Sequence, residues 1–562
     1  MIVVTRAILV ANLFLLMTCL SQASPPSLTR LTPPGGQRGK TISVRCEGKF
    51  DWPASVFAPG VDVEVTEETG VINVTIPQEL LADRIWLRLF NQQGASSPAP
   101  FLIGNVEEVA EEEPNNSLQQ AQVVSQLPAI INGVLKSADV DCFSVHLDEG
   151  QTLIAAIDAH SRLGSPIDSI LQIVSEKGFI LSENNDEIGL DPVTTYTATK
   201  SGMVVVRLFG FSSEPNQSIS LQGSNDCHYR LTLTSDAFAT HIAPLAVSND
   251  KEDHLQFIGW GISDQLTATG RLFGFPNLVD ELEIETPSDL KLINDSRLGY
   301  ADHPLLPGGR KFRYVNIPTM AFLNRDLGDS SISLDIPVAV TGRLNRDGQA
   351  DSYSVQLTTG DTLLIACEAQ TLGLPTDPWV RLLDPAGKIV ADVDDSSKTR
   401  DSHISYSVKT DGVHTIVVTD RFKKSGPRHL YLLTATLEQP DFQLRFSKDQ
   451  LVMTEHDSVD LSVQVLRRRG TGNIRIMLDG LPEWITATAV ESLAEGESAE
   501  SVQLKLISAG GAFSGPVRII GETIEPFNIR RLASTSTSLD TSLSSLWLTV
   551  LPSTENPKPL DD

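Results

Sequence analysis

Asp141-Cys-Phe-Ser-Val-His-Leu147 and Asp351-Ser-Tyr-Ser-Val-Gln-Leu357 are one stretch written twice, about 210 residues apart, and their reading decides the fold. In each copy alternate residues are apolar (Phe143, Val145 and Leu147; Tyr353, Val355 and Leu357), the period of a strand with one face in a core. Working outward, Gly150, Thr152 and Leu153 fall on Gly360, Thr362 and Leu363, and Ala156 and Ala159 on Ala366 and Ala369. After a one-residue slip, Leu163, Gly164, Pro166 and Asp168 match Leu372, Gly373, Pro375 and Asp377. Gly178 then falls on Gly387, Tyr196 on Tyr406 and Gly202 on Gly412, and each copy closes on a tyrosine strand, at Tyr229 or Tyr431. Turn signals such as Asp148-Glu149-Gly150 and Glu176-Lys177-Gly178 recur every ten residues or so, the rhythm of β-sandwiches. No stripe of helical period is sustained; a helical turn is expected only near Ser117 to Val123, after Pro114.

The repeat reaches further back, because Thr41-Ile-Ser-Val-Arg-Cys-Glu-Gly48 has a weaker counterpart at His254-Leu-Gln-Phe-Ile-Gly-Trp-Gly261. The ancestral unit is thus a pair of small β-domains, present twice and followed by one more sandwich. The expected plan is a signal peptide over 1–23, then β-domains over 24–105, 106–236, 237–329, 330–439 and 440–552, and a polar tail over 553–562. Arg6, the apolar run from Ala7 to Leu20, and Ser21-Gln22-Ala23 have the layout of a cleaved secretory signal. Cys19 raises a lipoprotein alternative that Met17-Thr18 fits poorly. No later stretch is long and apolar enough to cross a bilayer, so a secreted or periplasmic protein is expected.

Across 562 residues, 71 acidic against 44 basic side chains give a formal charge of −27, which repels phosphate backbones and argues against nucleic-acid binding. Four cysteines follow the signal, at 46, 142, 227 and 367, without the close spacing of a zinc or redox pair. Neither His-Glu-x-x-His nor Gly-x-Ser-x-Gly occurs. Gly35-Gly-Gln-Arg-Gly-Lys-Thr41 lacks the first glycine of a phosphate-binding loop and reads as a turn before a strand.

Residues 108–235, and less closely 330–438, resemble the bacterial pre-peptidase C-terminal (PPC) domain. The resemblance rests on Glu113-Pro-Asn-Asn116, Asn132-Gly-Val-Leu135, Asp139-Val-Asp-Cys-Phe143, Gly150-Gln-Thr-Leu153, Leu163-Gly-Ser-Pro-Ile-Asp168 and Gly202 before Val204-Val-Val-Arg207. It implies a jelly-roll-like sandwich, commonly a non-catalytic module of secreted peptidases and other exported proteins. Residues 25–104 look like an IPT/TIG domain through Leu31-Thr-Pro-Pro-Gly-Gly36 and Gly39-Lys-Thr-Ile-Ser-Val44, and Gly480-Leu-Pro-Glu-Trp484 is similar to bacterial surface Ig-like domains. The fold expected is all-β, with tandem jelly-roll-like and immunoglobulin-like sandwiches in an elongated arrangement.

The PPC resemblance also implies a calcium site at Glu111, Glu113, Asn115, Asn116, Asp139 and Asp141, four carboxylates and two amides of the hard-oxygen kind that calcium takes. The competing reading is a solvated acidic linker, Glu107 to Glu113, running into a Pro-Asn-Asn turn. The second copy has Gln349 opposite Asp139 and no such acidic segment, so no equivalent site is expected there. Cys142 and Cys227 flank the opening and closing strands of the first copy and are read either as a disulfide or as two buried thiols. Asp394-Asp395 and Asn185-Asp186 read as hairpin turns with a peripheral cation as the alternative, and Arg467-Arg468-Arg469 as an exposed turn rather than an anionic-polymer patch. The expectation is an exported, non-catalytic protein binding a protein or polysaccharide outside the cytoplasm. An accessory unit of a secreted peptidase (targeting, chaperone or inhibitor) and a cryptic hydrolase are the rivals.

Overall fold

The computed structural model describes residues 24–553, apart from 81, 214–219, 249–254, 261, 263–295, 302, 304–305, 324–329, 397–398, 524–526, 537–538 and 540–541. The expected signal peptide with Cys19, and the tail beyond 553, lie outside the described residues. Strands dominate throughout, and the sandwiches are tandem and all-β as read from the alternation.

The duplicated stretches open matching sandwiches. In the first, one sheet runs in the order Glu108–Ala110, Ala129–Val134, His228–Thr234, Thr152–Asp158, Val193–Thr197. The facing sheet runs Gln122–Val123, Asp141–Leu147, Gly202–Ser212, Ile167–Ser175, Ile180–Asn184. The second copy repeats both orders strand for strand, with Ala350–Leu357 in the place of Asp141–Leu147 and Leu430–Leu437 in that of His228–Thr234. The first strand of each sheet is parallel to its neighbour, and the other pairings are antiparallel. Phe143, Val145 and Leu147 point into one core and Tyr353, Val355 and Leu357 into the other, as the period of two requires. Gly150 and Gly360 stand at φ +82° and +96° with open space where a Cβ would be, so backbone conformation and not crowding selects glycine.

The expected helical turn at Ser117–Val123 is a hydrogen-bonded turn, Gln120 N–H to the Ser117 carbonyl, leading into a short strand. Helical turns occur instead at His160–Leu163 and Gln370–Leu372, again at matching points of the two copies. Asp191 accepts the Ala159, His160 and Ser161 N–H groups, and Asp401 those of Ala369, Gln370 and Thr371, which satisfies donors that a helix start leaves open.

Each of these sandwiches follows a smaller β-unit. Ser27–Thr32 pairs antiparallel with Thr41–Lys49, and Gly35–Gln37 runs parallel to Ala99–Gly104. After the first copy, Phe238–Ala243 pairs antiparallel with Gln256–Trp260, and Ala246–Ser248 runs parallel to Arg310–Val315. The weak sequence match at 254–261 therefore sits on an equivalent strand, although His254 and Gly261 themselves lie outside the described residues. From Asp441 to Leu551, Arg530–Ser536 pairs with both Phe513–Thr523 and Asp441–Arg445, joining the strands around one core.

The tandem does not stay extended. Trp547, 3% exposed, packs between Phe57 and Phe90 of the first unit at centroid distances of 5.2 and 5.0 Å, beside an Arg88–Asp449 ion pair of 3.0 Å. Asn105 donates to the His303 carbonyl at 3.0 Å, and Arg428 pairs with Glu187 across the two duplicated sandwiches. Burial of aromatic surface between the first and last units outweighs an end-to-end layout.

His241 sits in one such junction, 3% exposed, near Arg343 and Arg310, with its Nδ1 2.9 Å from the Thr240 hydroxyl and its Nε2 without a partner among the described residues. Burial, then the two guanidinium charges, push its pKa down to about 4. A base whose folded pKa lies below its unfolded value binds fewer protons when folded, so its contribution is intact above about pH 6.5 and is lost as pH falls toward 4. Urea titrations across that window are expected to show a loss on the order of 3 kcal/mol that His241→Gln abolishes.

Candidate cation site

Glu108–Ala110 runs parallel to Ala129–Val134, and the ladder continues as the Glu111 N–H donates to the Asn132 carbonyl at 2.9 Å. Glu111 Oε2 accepts the Val134 N–H at 2.7 Å, which aims the carboxylate across the sheet end toward Asp141. Asp141 opens its strand with no exposure, and its Oδ2 accepts the Tyr229 hydroxyl at 2.6 Å. Glu113 accepts the Asn115 N–H at 3.2 Å and pairs with Lys136 at 3.2 Å. Carboxylate oxygens of Glu111, Glu113 and Asp141 lie within 4.8 Å of one another.

Buried oxygens of this cluster lack partners among the described residues. Glu111 Oε1 and Asp141 Oδ1 have none, and neither do Oδ1 and Nδ2 of the fully buried Asn115. Leaving such groups unsatisfied costs ~1–3 kcal/mol each. Burial first, then neighbouring carboxylates, raises both acids: Asp141 is pushed up to about 9 and Glu111 to about 7, with the Tyr229 and Val134 hydrogen bonds pulling the other way.

Of the six expected ligands, the structure brings Glu111, Glu113 and Asp141 together and buries Asn115, whose backbone N–H bonds Glu113. Asp139 and Asn116 stand to one side: Asp139 accepts the Asn116 amide and the Val140 and Lys136 N–H groups, adding charge to the cluster while its own oxygens are occupied. The acidic segment is therefore not a solvated linker at Glu111. Sequence reading missed Tyr229 as the hydroxyl on Asp141, although its alignment with Tyr431 marked the position. Gly133, marked there only as part of the Asn132–Leu135 motif, is where a Cβ would collide with Glu111 Oε2 and the Tyr229 hydroxyl.

In the second copy, Asp351 accepts Gln349 Nε2 at 2.7 Å and the Tyr431 hydroxyl at 2.5 Å, and Tyr431 meets the Tyr353 hydroxyl at 2.7 Å. Both Asp351 oxygens are thus satisfied by neutral donors within the protein. Residues 349–420, the segment built on this network, match the bacterial pre-peptidase C-terminal domain family. The chain thus carries a PPC domain, and the first copy shares its topology strand for strand.

Among solved structures, the PPC domain of a Bacillus anthracis collagenase is similar at 13% identity, covering 20% of this chain and 99% of that one, with a TM-score of 0.17. The M60 catalytic domain of Clostridium perfringens ZmpB with its two CBM51 domains is 9% identical over 74% of this chain and 46% of that one, TM-score 0.16, so the chain spans under half its length. Sidekick-1 immunoglobulin domains 1–4 are 8% identical over 94% and 97%, TM-score 0.19. No curated protein matches the sequence.

The other marked residues are structural. All four described cysteines are free and buried. Cys142 packs with Leu118, Ala121, Val140, Val174 and Val205 on the outer side of its sheet, while Cys227 belongs to the core between the sheets, so the two thiols face different clusters and form no disulfide. Arg467 donates to the Ala499, Gly472, Ser492 and Leu493 carbonyls, and Arg469 to those of Glu438 and Gly360. Those two guanidiniums bind the protein's own backbone. Arg38 of the glycine-rich stretch binds the Leu80 and Ala82 carbonyls and Asn105, as a turn anchor does.

Gly133→Ala is expected to lower stability by ~1–3 kcal/mol and to abolish any calcium-dependent rise in melting temperature. Gly342→Ala, which crowds Tyr431 in the second copy, is expected to cost as much and to leave the calcium response intact. Scanning calorimetry of both variants with and without calcium checks the pair.

Proposed function

We propose that this chain is an exported binding and structural protein whose tandem sandwiches offer loops and strand edges to an extracellular or periplasmic protein or polysaccharide, with calcium stabilising its first PPC-type sandwich. No catalytic family is detected, and the PPC and immunoglobulin-like modules are of typically non-catalytic type. The observation that carries the calcium reading is the trio Glu111, Glu113 and Asp141 within 4.8 Å, with two buried, unpartnered carboxylate oxygens and the orphaned Asn115 amide in the same segment. Glu111, Glu113, Asn115 and Asp141 would hold the ion, water filling the rest of its shell; the donor set is all hard oxygen. Export is supported by the signal-like layout of Arg6 to Ala23.

Millimolar calcium is expected to raise the melting temperature of the full chain, by about 2.7 kcal/mol of added stability at a hundredfold excess over Kd. Glu113→Ala with Asp141→Ala is expected to remove the shift; no shift in the wild type would retire the site. For the binding role, immobilised protein is expected to retain a component from cell-wall, polysaccharide or matrix fractions, and retention from none of them overturns it. The PPC match also favours a second reading, an accessory unit of a secreted peptidase, which a stably co-purifying protease would establish.

A further inference from the structure

The loop from Arg421 to His429 joins the last two strands of the second PPC-type sandwich, Gly412–Asp420 and Leu430–Leu437, and its charge sets it apart. At the same point of the first copy, residues 213–227 hold Glu214 and Asp226 but no lysine or arginine, whereas this loop holds Arg421, Lys423, Lys424 and Arg428. The fold fixes its tip firmly. Asp420 accepts the Phe422 and Lys424 N–H groups at 2.9 and 2.8 Å, and Lys423 takes the left-handed conformation at φ +59°. The Lys423 carbonyl accepts the Gly348 N–H at 3.0 Å, and the Ser425 hydroxyl donates to Asp347 at 2.7 Å. The side chains are left outside: Phe422 is 67% exposed, and Lys423 and Lys424 are exposed without an ion pair among the described residues.

Beside the loop, Trp379 carries two guanidiniums, Arg381 at 5.0 Å and Arg421 at 5.3 Å from its ring centroid, and its indole N–H bonds Asp392. An aromatic face orders a guanidinium without neutralising it. Arg381 pairs with no carboxylate among the described residues, and its buried Nε has no partner. Arg421 engages Asp394 through Nε at 2.8 Å, which leaves its other N–H groups for a ligand. Arg381, Arg421, Lys423 and Lys424 thus outnumber Asp392 and Asp394, while the neighbouring pairs Asp395 with Arg400 and Asp347 with Arg346 add no net charge. Charges beyond a screening length of ~8 Å count little at physiological salt, so this face attracts anions although the chain as a whole is acidic. In the first copy Ile170 and Gln172 take the places of Trp379 and Arg381, so the sandwich does not need the arrangement to fold.

We propose that this face of the second PPC-type sandwich docks an acidic polysaccharide, a polymer of carboxylated sugars. Arg381 and Arg421 pair with its carboxylates through their planar forks, Lys423 and Lys424 draw the polymer in, and the Phe422 ring packs against the apolar face of a sugar. The inference rests on the polysaccharide-binding reading above and names its ligand class and its site. A lipid surface fits less well, because Phe422 is the one large apolar side chain exposed on the loop and a single ring is a weak anchor.

Binding of the full chain to immobilised polygalacturonate, with neutral dextran as the comparison, tests it. The wild type is expected to bind polygalacturonate alone and to release it as salt rises toward ~1 M. Lys423→Asn with Lys424→Gln, in which asparagine tolerates the left-handed conformation, is expected to weaken binding about tenfold or more. Arg381→Gln, checked to melt with the wild type, is expected to weaken it as well. Lys177→Gln with Lys200→Gln removes the same charge from exposed positions of the first sandwich and is expected to change nothing. Equal weakening by the two lysine pairs overturns the proposal. Retention of a protein or of neutral glycan with none on polygalacturonate overturns this site and leaves the general binding role standing, while retention of nothing overturns both. Binding to phosphatidylglycerol vesicles that Phe422→Ser abolishes, without binding to polygalacturonate, overturns it in favour of a lipid surface.

Discussion

A tyrosine hydroxyl buried between two sheets and bonded to a strand-opening aspartate is the constraint on which both duplicated sandwiches are built. Tyr229 reaches from one sheet to Asp141 on the other at 2.6 Å, and Tyr431 reaches Asp351 at 2.5 Å, all four side chains being essentially buried. The glycines opposite, Gly133 and Gly342, exist to let the rings pass. One hydroxyl cannot satisfy a carboxylate, however, so each buried aspartate needs a further partner. The two copies differ in how they supply it.

In the PPC domain proper the partner is Gln349, fixed in turn by the Asn345 N–H, and the network closes within the protein. In the first copy Asp139 stands at that position and Glu111 and Glu113 crowd in from the preceding segment, leaving Asp141 Oδ1 and Glu111 Oε1 without a partner among the described residues. Lys136 brings a positive charge from the surface, at 3.2 Å from Glu113. One network is thus closed by its own side chains, and the other leaves buried carboxylate oxygens open.

Much of the fold was legible because alternation and turn spacing are local signals, repeated. Phe143 with Tyr353, or Gly150 with Gly360, needed only sequence comparison. The docking of Trp547 between Phe57 and Phe90 left no such trace, since an aromatic residue in a strand reads as core wherever its partner lies. The same limit applied to the site. Residue type and order marked Glu111, Glu113 and Asp141, but whether a carboxylate is already satisfied, as at Asp139, depends on backbone N–H groups whose direction the pattern does not encode. Cys142 and Cys227 show it again: the opening and closing strands they flank lie in different sheets and the two thiols pack into different clusters, which residue spacing does not encode.

Net charge connects the local and global arguments. With 71 acidic and 44 basic side chains, drawing the sandwiches together brings like charges together. The junctions answer with arginine: Arg162 binds Asp83, Arg313 binds Glu368, Arg428 binds Glu187 and Arg88 binds Asp449. A planar guanidinium can serve several acceptors at once, so a few arginines hold surfaces that lysines could not. Arginines engaged at junctions are unavailable elsewhere, and at the end of the first duplicated sandwich Glu111, Glu113 and Asp141 stand within 4.8 Å of one another with Lys136 as the basic side chain paired to the group.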